Sequence, residues 1–89
     1  MARRPLVLVT GGSRGIGAAT AVMAARRGYD VAVNYRGDRA AAEGVVTACR
    51  EAGARADLFQ GDMAVEADVS RVFAEVDAAL PSVPPWGAA

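Results

Sequence analysis

The sequence predicts an α/β fold, an incomplete N-terminal portion (βαβαβα) of a doubly wound parallel sheet. Three observations carry this expectation. An unbroken, valine-rich apolar run from Leu6 to Thr10 passes straight into a cluster of glycines. Two more short strand-like runs follow, each after a stretch whose apolar residues recur at helical spacing. The connections are short, and alternating strands and helices with short connections build a parallel sheet with right-handed crossovers.

Leu6 to Thr10 shows no alternation, which suits a strand covered on both faces. From Ile16 the spacing of Ile16, Ala19 and Met23 predicts the inner stripe of a first helix. Arg26 and Arg27 favour its C-terminus, and Gly28 fits just beyond. Asp30 to Tyr35, DVAVNY, reads as the second strand, and Gly37 and Asp38 make a turn in which Asp38 is a candidate N-cap. Arg39 to Ala52 predicts the second helix, with Ala42, Val45, Val46 and Cys49 facing inward and Gly53 at its end. Ala56 to Gln60 is a third strand, interrupted by Asp57, and Gly61 and Asp62 turn the chain. Val69, Val72, Phe73, Val76 and Leu80 then trace a third helix.

Residues 1–80 thus form one partial domain. Residues 81–89, PSVPPWGAA, hold three of the four prolines and show no period. Pro81 stops the helix, and Pro84-Pro85 argues against a fourth strand. An irregular tail is expected, with Trp86 packing locally or disordered. In a doubly wound sheet that would leave Leu6 to Val9 as an unpaired apolar edge, so weak stability and self-association are expected.

Composition narrows the function. In 89 residues, ten basic and ten acidic groups cancel, which leaves no electrostatic footprint for nucleic acid or an anionic membrane. No apolar run reaches the ~20 residues of a membrane span, and the run after the N-terminal arginines is too short for a signal peptide, so a cytoplasmic protein is expected. All ten basic residues are arginines, and there is no histidine. No lysine or histidine is therefore available for proton transfer, and Cys49 alone can build neither a disulfide nor a zinc cluster. No catalytic and no metal-ligating residue is assigned.

The glycine junction points to a ligand. Thr10-Gly11-x-x-x-Gly15-x-Gly17 lies where a buried strand meets a helix, the first βα turn of a βαβ unit. Gly11 lets the chain turn off the strand, Gly15 lets backbone approach a ligand, and Gly17 lets the helix pack closely on the sheet. A helix start presents unpaired N–H groups and a partial positive charge, which suit a pyrophosphate. A phosphate-binding P-loop is excluded, since that motif needs a lysine. The alternative is a glycine-rich turn that binds nothing.

These residues resemble the short-chain dehydrogenase/reductases. TGGSRGIG is similar to their Rossmann-like cofactor fingerprint, VAVNYRGD to the second strand and adenosine-facing loop of members that prefer NADP, and FQGDMAVEADV to their third strand and adenine-facing aspartate. The resemblance implies that Gly11, Gly15 and Gly17 shape the loop and that the Ile16 backbone N–H meets the pyrophosphate. It places Ser13 and Arg14 by the adenosine ribose. Asp62 would accept a hydrogen bond from the adenine amino group, with the Met63 backbone against the ring; the alternative for Asp62 is a turn residue leading into a helix. It also implies a homo-oligomer when complete.

NADP(H) is favoured over NAD(H) on physical grounds. A carboxylate at the end of the second strand would bind ribose hydroxyls and repel a 2′-phosphate, but Asn34, Tyr35 and Arg36, the candidate cofactor-binding residues there, offer none. Arg14 and Arg36 would instead pair with that phosphate, the alternative being solvated surface charges. Asp38 could reach a ribose and is read as the N-cap instead.

The resemblance also sets a limit. The family's proton transfer uses a Tyr-x-x-x-Lys pair; Tyr29 is followed four residues on by Val33, and Tyr35 by Arg39. The expectation is therefore the cofactor-binding half of an oxidoreductase that moves hydride between NADP(H) and a carbonyl or alcohol, truncated and not catalytic alone. Two alternatives stay open: a dinucleotide-binding module without chemistry, and a truncated or frame-shifted remnant.

Overall fold

The structure is a computed structural model that describes residues 4–80 and the backbone of Gly87 and Ala88. Strand β1 (Leu6–Val9) leads to helix α1 (Gly15–Arg26), β2 (Asp30–Tyr35) to α2 (Arg39–Glu51), and β3 (Ala56–Gln60) to α3 (Glu66–Ala79); a short β4 is formed by Gly87–Ala88. The sheet is parallel with order β3-β2-β1-β4. The first three strands step outward in one direction, and the fourth joins on the far side of β1. That reversal is the doubly wound pattern, and it places a topological switch point at the C-terminal end of β1.

The two sheet faces have separate cores, as strand alternation dictates. Val9, Val31, Val33 and Tyr35 pack with Ala21 and Ala25 of α1 and with Ala42, Val45, Val46 and Cys49 of α2. Leu6, Leu8, Ala32 and Phe59 pack with Val72, Val76 and Leu80 on the α3 side. All six residues of β2 are buried, which explains its lack of alternation. The inner stripe expected for α2 is the one observed. That of α3 is observed too, with Val69 and Phe73 half-buried at its margin.

Two expectations are corrected. The first concerns α1: Ile16 is 88% exposed and Met23 53%, and Ala19 also faces outward. The face turned to the sheet carries Ala18, Ala21, Val22 and Ala25. Both sets have helical spacing in an alanine-rich segment, so periodicity could not choose between them. Packing on β1, β2 and α2 together favours the narrower residues.

The second concerns the sheet edge. Gly87 and Ala88 pair in parallel with Val7 and Leu8, so β1 is an interior strand over that stretch. The proline argument fails here because the pairing residues come after Pro84 and Pro85 and retain their backbone N–H groups. The expected irregularity of residues 81–86 and the packing of Trp86 lie outside the described residues.

At the N-terminal end of the sheet, Asp30 is 1% exposed and ties three segments together. It accepts from Arg4 Nε at 2.9 Å, from the Arg55 backbone N at 2.9 Å and from Arg55 Nε at 2.8 Å. This buried carboxylate is paired on both oxygens, as burial requires. Among the described residues no helix is long and apolar enough to cross a membrane, and no cluster of His, Cys, Asp or Glu could hold a metal ion.

Candidate functional site

The site is built where β1 runs into α1. Gly11 and Gly15 have φ of 62° and 56°, the left-handed region that residues with a Cβ rarely occupy. Gly17 answers a different demand. A Cβ there would stand 2.3 Å from the Gly11 carbonyl oxygen, so the first turn of α1 lies directly against the loop that leads into it. The close approach expected at Gly17 is to the loop rather than to the sheet.

The start of α1 has no local partner for its amide groups. Its N-cap is Arg14, in extended conformation, which gives no side-chain cap, and no acidic residue stands in the first turn. The first helical bond is Ala18 N–H to the Arg14 carbonyl at 3.2 Å. The N–H groups of Gly15, Ile16 and Gly17 precede that bond and have no acceptor inside the helix. Three such amides at the positive end of the helix dipole form an anion-receiving surface. The exposed Ile16 side chain and half-buried Ser13 border it.

Asn34 holds the loop to the rest of the sheet. It is 3% exposed and lies at the C-terminal end of β2. Its Nδ2 donates to the carbonyls of Phe59 at 3.2 Å and Gly61 at 3.1 Å. Its Oδ1 accepts from Gly11 N at 3.4 Å, and its own carbonyl accepts from Gly12 N at 2.9 Å. Asn34 thus fixes the glycine loop relative to the end of β3, acting on loop position from inside. A polar residue in an otherwise apolar strand was the sequence signal for this role.

Tyr35 does not face the site. Its side chain is 5% exposed and belongs to the core beneath α1 and α2, where its hydroxyl accepts from Arg39 Nη1 at 3.1 Å. Alternation along β2 sends Asn34 and Tyr35 to opposite faces, so only one of the two can border the groove. That hydrogen bond also raises the Arg39 pKa, adding to a charge already permanent at neutral pH.

A groove of about 310 Å³ opens at the C-terminal ends of β1, β2 and β3, between Thr10 and Gly11 on one side and Gly61, Asp62, Met63 and Ala64 on the other, with Asn34 and Arg36 between. It brings together Gly11, Asn34, Arg36, Asp62 and Met63 of the residues read from the sequence, while Ser13, Arg14, Gly15, Ile16, Gly17 and Tyr35 lie outside its lining. Asp62 has both oxygens engaged: Oδ1 accepts from Ala64 N at 2.9 Å, and Oδ2 lies 3.5 Å from Arg36 Nε. Its backbone N donates to Asp68 Oδ2 at 2.9 Å, so the turn is fixed from α3. A larger hollow of about 550 Å³ lies at the outer edge of β3, between Arg39, Gln60, Arg71 and Glu75. It includes no residue of the glycine loop.

Two arginine–carboxylate pairs lie beyond the strand ends: Arg36–Asp62 in the groove's lining, and Arg14–Asp38 between the N-caps of α1 and α2. Arg14 Nη2 donates to Asp38 Oδ2, and Arg36 pairs with Asp62 as above. Asp38 is also the N-cap of α2, its Oδ1 accepting from Ala41 N at 2.9 Å. The bond from Arg14, followed by that from Ala41, holds the Asp38 carboxyl below the usual carboxylate range. The N-cap role read from the sequence is the observed one; the pairing with Arg14 carried no sequence signal.

The comparisons with known proteins agree with this geometry. The family model for short chain dehydrogenase matches residues 5–84. The oxidoreductase YgfF of Escherichia coli (strain K12) is 46% identical over 72 residues, covering 81% of this chain and 29% of that protein. The reductase LugOII of lugdunomycin biosynthesis superposes with a TM-score of 0.80 at 41% identity, over 90% of this chain and 34% of its own. A Burkholderia cenocepacia protein solved with bound NADP superposes with a TM-score of 0.81 at 33% identity, over 85% of this chain and 30% of its own. The chain therefore spans about a third or less of the length of these relatives. With the glycine loop, the uncapped helix start and the doubly wound sheet in place, the family match over residues 5–84 makes this chain a member of the short-chain dehydrogenase family.

Proposed function

We propose that these residues form the dinucleotide-binding part of an NADP(H)-dependent short-chain oxidoreductase. The observation that carries this reading is the uncapped start of α1, led by Arg14 and set against Gly11 of a groove that Arg36 also lines, with no carboxylate at positions 34–36. The three free amides at Gly15, Ile16 and Gly17 suit a pyrophosphate. The guanidinium groups suit a 2′-phosphate, and Asp62 and Met63 suit an adenine edge and face. The NADP-bound relative supports the same assignment. When bound, the nicotinamide cofactor supplies the hydride; this chain's residues bind and orient its adenosine and pyrophosphate ends.

These 89 residues contain no lysine and no Tyr-x-x-x-Lys pair, so on their own they bind without turnover. Hydride exchange with a carbonyl or alcohol belongs to a protein that has the family's remaining length, as the keto-reducing relative LugOII does. Calorimetry with NADPH and NADH tests the reading. Tighter binding of NADPH is expected, and Arg14→Ala weakens NADPH by about 1–2 kcal/mol through loss of a charge-assisted bond while barely changing NADH. Equal affinities, or a preference for NADH, refute it.

A further inference from the structure

We infer that Asp38 is a specificity-determining residue that competes with the cofactor's 2′-phosphate for Arg14 and so limits the preference for NADP(H). The inference rests on reading the groove as a dinucleotide site. It starts from the pairing between the N-caps of α1 and α2. Arg14 has a side chain 76% exposed, yet its Nη2 is committed to Asp38 Oδ2. Arg36, which lines the groove, has Asp62 Oδ2 3.5 Å from its Nε. Each arginine already has a carboxylate beside it, so an arriving 2′-phosphate competes with that carboxylate rather than filling an open cationic pocket.

The two oxygens of Asp38 have separate duties. Oδ1 caps α2 through Ala41 N, and only Oδ2 holds Arg14. The cap anchors Asp38, so when Arg14 turns toward a phosphate the negative charge stays in place. The carboxylate therefore acts twice: it holds the arginine when the site is empty and repels the phosphate when the site is full. A ribose with a free 2′-hydroxyl meets neither obstacle. The low pKa of Asp38 keeps it charged throughout the neutral range.

The separation of duties makes the idea testable. Asn caps helices as well as Asp does, so Asp38→Asn keeps the acceptor for Ala41 N and removes the charge. The probes are adenosine 2′,5′-bisphosphate and 5′-AMP, which differ by the 2′-phosphate alone, measured by calorimetry on the full chain. Asp38→Asn is expected to raise the ratio of their affinities roughly 1.5- to fivefold, the range of a single exposed charge interaction. Asp38→Ser, a second capping residue, should raise it similarly. In an Arg14→Gln background the same substitution should change the ratio much less. If the unmodified chain favours the bisphosphate but neither Asp38 variant raises the ratio, the inference is overturned and the NADP(H) reading stands. A ratio that falls in Asp38→Asn overturns it as well, since Asp38 would then be positioning Arg14 for the phosphate. A chain that binds neither probe, or both equally, overturns the reading and the inference together.

Discussion

Gly17→Ala and Gly44→Ala are the same substitution on two helices and should act in opposite directions. On α1, the added methyl of Gly17→Ala would sit 2.3 Å from the Gly11 carbonyl oxygen and 3.0 Å from its carbonyl carbon. Both are backbone atoms, so no side chain can swing aside. Either the loop moves away from the helix, or the helix start lifts from the loop. Overpacking of this kind costs about 1–3 kcal/mol, against a gain of about 1 kcal/mol from alanine's better helix propensity. The net expectation is a loss of up to about 2 kcal/mol, together with weaker dinucleotide binding, because Gly11 and the first amides of α1 are the parts displaced. On α2, Gly44 is exposed and a Cβ there meets nothing within 4 Å. Only the propensity term remains, so Gly44→Ala should stabilise by about 0.5–1 kcal/mol and leave binding alone. Urea unfolding of both variants beside the unmodified chain, with NADPH calorimetry on each, reads the four quantities. A Gly17→Ala chain as stable as Gly44→Ala, binding NADPH unchanged, would refute the claim that the Gly11–Gly17 approach builds the site.

Three further outcomes are expected. Asp30→Asn should lower stability by about 1–3 kcal/mol in urea unfolding, since it removes the charge that Arg4 and Arg55 share in a buried position; an unchanged midpoint would mean the clamp contributes nothing. Ending the chain at residue 86 removes β4 and reopens the β1 edge at Val7 and Leu8. It should cost about 1–3 kcal/mol for the lost sheet bonds and shift sedimentation toward larger species, whereas unchanged sedimentation would refute the edge argument. Burial raises the Cys49 pKa, so its neutral thiol is favoured in the folded state. The resulting stability is fully present below the unfolded thiol's pKa and falls as pH rises from there toward the raised value. Cys49→Ala should flatten that alkaline decline, and an equally steep decline in the variant would show that another group causes it.

Most of the fold could be read from the sequence because its elements differ sharply from their punctuation. Glycines follow α1 and α2 at positions 28 and 53, and both take positive φ there. DVAVNY reads as a strand, and all six of its residues are buried. What failed was contrast. In α1, alanines lie all round the helix, and the visible spacing of Ile16, Ala19 and Met23 marked the outer face. Large apolar residues draw the eye, but the sheet selected narrow ones. In the tail, two residues after a proline pair carry no pattern at all, and their pairing with β1 is a property of the edge they find. Short strands are specified by the partner that needs them more than by their own composition.

The site divides along a similar line. Residue types and loop shape were legible: the glycines, the uncapped helix start and the acidic turn at Asp62 follow from spacing and turn chemistry. Pairings across long separations were not. Arg14 and Asp38 are 24 residues apart and meet only because α1 and α2 begin side by side at the C-terminal ends of β1 and β2. The same alternation that buried Tyr35 beneath α1 and α2 placed Asn34 where it holds the glycine loop while lining the groove, a structural duty that spacing alone did not show. Counting charges near the fingerprint favours NADP(H), because arginines stand where an acid would otherwise be. Geometry adds that both arginines are already neutralised by carboxylates. On the proposed dinucleotide reading, cofactor preference is then set by the difference between two competitions, phosphate against carboxylate at Arg14 and at Arg36, and the fixed cap at Asp38 is expected to make the first the harder one to complete.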